Sequence, residues 1–226
     1  MAILIILAGV LLLALIFGPQ LWIRHVLSRA QADRPDLPGT GAELARHLLD
    51  EAGLHSVRVE ETPDGDHYDP DARVVRLTPP HHAGRSIAAV AVATHEVAHA
   101  VQHARGEPGF LRRQALVLAI APIFRVAQLV MATIPLVLIF VHSPAFIALQ
   151  LGAIIALLSL RVLIHAVTLP VELDASFNKA LPVLRAGNYL APADMPQATR
   201  VLRAAAFTYV AAALVTLLDV LRWFRR

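Results

Sequence analysis

Residues 92–106 read VATHEVAHAVQHARG, which sets His95, His99 and His103 four apart and Glu96 directly after the first. His95 and His99 form the pattern H-E-x-x-H. On a helix, residues four apart share a face one turn apart, so both imidazoles can reach a single cation. Glu96 lies beside the first of them, where it can take a proton from an attacking water and pass it to a leaving amine. Nitrogen donors with an open position for water suit zinc, one ion per chain. The competing reading is a histidine-rich helix whose imidazoles are satisfied within a core.

Two histidines hold a catalytic zinc poorly, so a third ligand is expected. His103 lies about 12 Å along the axis from His95 at roughly 1.5 Å per residue, too far for one ion on an unbroken helix. A chain turn that brings in a third histidine needs glycine soon after the second and His three residues beyond. Gln102 stands at that position, and Gly106 comes too late. His103 is therefore read as a surface or supporting residue. The other route is a carboxylate from a separate helix. The segment TLPVELDASFNKAL, 168–181, offers Glu172, with Asp174 as the alternative ligand. Pro170 is expected to break or kink the helix before it. Glu172 then emerges at a bilayer edge, where an unpaired carboxylate is costly.

The elements that must position these groups are unusually apolar. The 226-residue chain is 57% hydrophobic and 16% charged. Residues 1–17 carry no charge and run on to Trp22 and Arg24, which suits a retained membrane helix over 1–23. Two further apolar stretches, within 114–169, are separated by Ser143–Pro144 and read as a membrane hairpin. A fourth, 204–221, is shorter and carries Asp219; a basic tail, 222–226, follows it. Polar residues concentrate in 24–113 and 170–203. If the helices cross in turn, both segments share one face, with most of the flanking arginines. The positive-inside rule makes that face cytoplasmic, although the terminal RWFRR pulls the other way. These features point to an integral membrane protein in contact with lipid. The chain has no cysteine, which excludes disulfides. No basic patch interleaved with aromatics suggests nucleic acid.

Within the polar part, Thr40 and Glu43 make a capping box ahead of Leu44, Leu48 and Leu49, and Gly53 ends that helix. Val57 and Val59 precede the turns at PDG and DPDA, and Val74, Val75 and Leu77 follow them. A two- or three-stranded sheet is expected there. Ser86 is the expected N-cap of the H-E-x-x-H helix. In the loop DGDHYDP, His67 or Tyr68 could donate to a developing oxyanion; the alternative is a polar turn whose aspartates satisfy backbone amides. Arg125, Arg161, His165 and Asp219 fall in membrane stretches and receive no catalytic role. His25, His47, His55, His81, His82 and His142 show no partner in the sequence.

THEVAHAVQ, LPVELDAS, GDHYDPDARVVRL and TGAELARHLL together resemble the YugP-type neutral zinc metallopeptidases of bacterial membranes, over most of the chain. The resemblance implies a zinc-dependent membrane peptidase with His95 and His99 as ligands and Glu96 as base. The match at ELDAS carries the third ligand to Glu172. A more distant similarity is to the HtpX and CAAX prenyl protease group, whose glutamate motif is E-x-x-A-D. Ser176 stands here in place of that aspartate, so the group that steadies a ligand histidine must be sought elsewhere, for instance at Asp174.

The expected fold is mainly α, with multi-pass membrane helices and a zincin-like α/β catalytic part containing a small sheet. The expected function is a membrane-embedded zinc endopeptidase, a hydrolase of membrane-associated proteins or peptides. The alternative is a non-catalytic membrane scaffold whose zinc is structural, in which Glu96 would have no task. A transporter is disfavoured by the scarcity of paired charges along the helices.

Overall fold

A computed structural model describes residues 2–140 and 143–223. His142 and most of the basic tail expected at 222–226 lie outside the described residues. Eight α-helices and a three-stranded sheet account for most of the rest. The first, α1, runs over Ala2–Ala30 and α2 over Gly41–Glu51; α3, Pro79–His82, and α4, Ile87–Ala104, follow the sheet. Then come α5, Pro108–Phe140, and α6, Pro144–Leu173. A π-helical segment, Asp174–Ala180, leads into α7, Leu181–Ala186, and α8 spans Met195–Trp223.

The local signals act as the sequence suggests. Thr40 Oγ accepts from the Glu43 amide while the Glu43 carboxylate accepts from the Thr40 amide, which starts α2. Beyond its end Gly53 sits at φ +72°, in the left-handed region. Strands β1, Arg58–Glu61, β2, His67–Asp69, and β3, Val74–Leu77, form a sheet of order β1-β3-β2. β1 runs parallel to β3, with Val59 opposite Val75, and β2 runs antiparallel to β3, with Tyr68 opposite Val75. Val74, Val75 and Leu77 are fully buried.

α4 is the centre of the molecule. Ser86 Oγ accepts from the Ala89 amide at 3.0 Å and caps it. Ala88, Ala89, Ala91, Ala93, Ala98 and Ala100 are buried, and such small side chains let several elements approach at once. α2, α8, the π-helical segment and strands β2 and β3 all pack on α4.

Among the described residues two helical stretches are long and apolar enough to cross a membrane, Pro108–Val130 and Ala148–Ala186. Their large apolar side chains face outward: Leu129 is 71% and Leu149 70% exposed. Arg161 of α6 lies over the Phe124 ring of α5 at 5.2 Å, which gives its charge a partner inside this pair. Pro170 does not break α6. The helix runs through it to Leu173, and the Pro170 carbonyl still accepts from the Asp174 amide. The irregularity falls one turn later, as the π-helical segment that carries Asp174 and Ser176.

Candidate metal centre

α4 and the end of α6 bring three donors together. His95, His99 and Glu172 each present one ligand atom, all within 4.8 Å of one another, and all three residues are buried. His95 Nε2 lies 3.1 Å and His99 Nε2 3.3 Å from Glu172 Oε2. Arg113 Nη2 approaches the other oxygen, Oε1, at 3.7 Å. Among the described residues it is Glu172, and not Asp174 or His103, whose ligand atom converges with those of the two histidines.

The protons on the two imidazoles follow from their outer partners. Gln102 donates its amide NH₂ to the Val171 carbonyl at 3.1 Å and to Asp174 at 2.8 Å. Its Oε1 is thereby turned toward His99 Nδ1, 2.9 Å away, and being an acceptor it requires that Nδ1 carry the hydrogen. Ser176 Oγ donates to the Leu202 carbonyl at 3.1 Å, so toward His95 Nδ1, also at 3.1 Å, it accepts. With both imidazoles neutral, the two Nε2 atoms present lone pairs to an acceptor-only carboxylate oxygen, an arrangement that a cation would bridge. A tetrahedral zinc with bonds of about 2.0–2.1 Å sets neighbouring donors about 3.3–3.4 Å apart, close to the two separations found. The donor set fits zinc.

Glu96, next to His95 on α4, opens onto a cavity of about 430 Å³ that Glu172 and both histidines also line. Burial pushes its carboxyl up to about 7, so it can hold and release a proton near neutral pH. A cation at the neighbouring centre acts in the opposite sense and favours the carboxylate.

Several residues are placed differently from, or more fully than, the sequence indicated. Ser176, where an aspartate was missed, is itself the residue that steadies His95. Asp174 supports His99 indirectly, through Gln102, and pairs with Lys179. Gln102, noticed only as the wrong residue for a third ligand, is the one that orients His99. It sits three residues on, on the same helical face, and that spacing was a usable signal. His103 Nδ1 meets the Tyr68 hydroxyl at 2.9 Å and its ring stacks on Phe110. His67 and Tyr68 both line the cavity. Asp69 in the same loop caps its turn, accepting from the amides of Asp71 and Ala72 at 3.0 Å.

The sequence model of a family described as "Putative neutral zinc metallopeptidase" matches residues 3–226. The chain belongs to this family. Among curated proteins, the "Putative membrane protease YugP" of Bacillus subtilis (strain 168) is 41% identical over 187 residues, covering 81% of this chain and 79% of that one. No solved structure gave a significant match. Among the described residues, the His95, His99 and Glu172 cluster is a buried group that could hold the metal the family's description names.

Ser176→Ala tests the tautomer argument directly. Without the acceptor on Nδ1 the His95 ring loses its orientation, and zinc affinity is expected to fall about 10–100-fold, read by competition with a chromogenic chelator.

Proposed function

We propose that this protein is an integral membrane zinc endopeptidase. Its catalytic part is read as a zincin-like unit formed by 24–113 and 170–203. The membrane helices are read as 1–23, a hairpin within 114–169, and 204–221, which puts the catalytic part on the cytoplasmic face. The observation that carries the reading is the meeting of three bare donors, two Nε2 and one carboxylate oxygen, beside a buried glutamate.

Zinc, when bound there, supplies a Lewis acid that polarises a carbonyl and acidifies water. His95, His99 and Glu172 would hold it, with Arg113 steadying the far oxygen of Glu172. Glu96 would take the proton of the attacking water and then deliver it to the leaving amine nitrogen. His95, Glu96, His99 and Glu172 are themselves buried, so these charges act at a dielectric below that of water.

Both helices that carry the ligands run into or adjoin apolar stretches, which supports substrates held at the lipid surface: membrane proteins or their exposed tails. The test compares one peptide, cleaved free in solution and tethered to a vesicle, by enzyme reconstituted in the same vesicle. The tethered form is expected to be cleaved faster at equal bulk concentration. Equal rates would remove the membrane-substrate part of the reading and leave the peptidase part standing.

A further inference from the structure

The cavity at the metal centre is lined by two unlike sets of residues. One belongs to the polar part: Asp66, His67 and Tyr68, at and just before β2. The other comes from helices α1, α6 and α8, which carry apolar stretches. Leu27 of α1, His165 of α6, and Ala205, Thr208 and Ala212 of α8 line one continuous space with His95, Glu96, His99 and Glu172. The three α8 residues stand three and four apart and so share one helical face. None of their side chains is large, and Thr208 and Ala212 are exposed. The Thr208 hydroxyl donates to the Ala205 carbonyl, so its hydrogen is spent within the helix. This face therefore offers methyl groups rather than hydrogen-bond donors.

The near and far ends of this face can be told apart. Ser176, which meets His95, donates to the Leu202 carbonyl, so that part of α8 lies beside the metal centre. Ala205 follows it, and Ala212 stands two turns beyond Ala205, about 10 Å along the axis. On α6, which packs against α8, His165 stands two turns before Glu172. His165 and Ala212 also line a smaller cavity that continues to Arg161. The space thus runs from the metal centre along both helices toward their apolar stretches. Whatever fills it is continuous with the bond held at the metal centre. We propose that Ala205, Thr208 and Ala212 form a specificity subsite that takes the apolar residues on one side of the scissile bond. This rests on the hydrolytic reading above and narrows its substrate class to polypeptides cut at the edge of an apolar segment. About 10 Å of cleft holds about three residues of extended chain. Large aliphatic or aromatic side chains gain by burial against the small α8 residues, and a larger residue on α8 takes that room away.

The experiment uses the full chain in detergent, with zinc measured on every preparation. Quenched fluorescent peptides place Phe, Leu, Ala or Asp at each of three positions on either side of one bond, and mass spectrometry reads the cut. Wild type should favour Phe or Leu over Asp by about 10–200-fold in kcat/KM, on one side of the cut only. Thr208→Phe should move the preference beside the cut toward Ala by a similar factor. Ala212→Phe should do so about two residues further away and leave the adjacent position unchanged. Thr208→Val, which keeps the shape and loses the hydroxyl, should keep both preferences. Ala205→Val is a milder change at the near end and carries the test should Thr208→Phe not fold. The same shifts should appear in dissociation constants of dye-labelled peptides for these variants combined with Glu96→Gln, read by fluorescence anisotropy. Unchanged preferences in folded, zinc-loaded variants overturn the subsite, as does a wild type that favours Asp or has no preference on either side. A shift at every position at once, as general distortion would give, overturns it too. A zinc-loaded wild type that cleaves none of the peptides defeats the peptidase reading itself, whereas cleavage without the shifts defeats the subsite alone.

Discussion

Glu96→Gln is expected to lower kcat for peptide hydrolysis by about 10²–10⁴-fold while zinc stays bound. The amide keeps the size and the hydrogen-bonding reach of the carboxylate but cannot accept the proton of water. Glu96 is buried beside His95 and faces the cavity, yet its carboxylate is not part of the donor cluster. The metal content should therefore be insensitive to the change. A scaffold with a structural zinc, which has no use for a base at this position, also keeps its metal but shows no hydrolysis for the change to remove. The check is a paired measurement of hydrolysis and zinc content on the same preparation.

Glu172→Ala carries the second large effect. It removes the single oxygen that both Nε2 atoms face, and with it the carboxylate that Arg113 Nη2 approaches at 3.7 Å. Zinc affinity should fall by more than the about 10–100-fold typical of losing an outer hydrogen bond, read by chelator competition. Asp174→Ala should be much milder, because Asp174 reaches the centre only through Gln102. If the two substitutions weakened zinc equally, the assignment of Glu172 as the direct ligand would be wrong.

The parts of this structure that the sequence made legible are those set by neighbours along the chain. The H-E-x-x-H spacing, the Thr40–Glu43 and Ser86 caps, the Gly53 stop and the alternation around β1 and β3 all depend on a few adjacent residues. Glu172 was legible through its place after an apolar stretch and through the family resemblance at ELDAS. The supporting residues were not, for a different reason in each case. Ser176 departs from an aspartate pattern, and its use of an Oγ that accepts from His95 while donating to Leu202 depends on where α8 lies. Asp66 and His81, both lining the cavity, are fifteen residues apart and brought together where β2 pairs antiparallel with β3. A proline such as Pro170 is expected to break or kink a helix; α6 continues through it, and the change in winding comes at Asp174. Glu172 and Ser176, four apart, both face α4, one at each nitrogen of His95.

If His95, His99 and Glu172 hold a hydrolytic zinc, detergent-purified wild type and Glu96→Gln should each carry about one zinc per chain, and only the wild type should hydrolyse peptide. A wild type that carries no zinc after purification without chelators, and takes none up, would contradict that assignment.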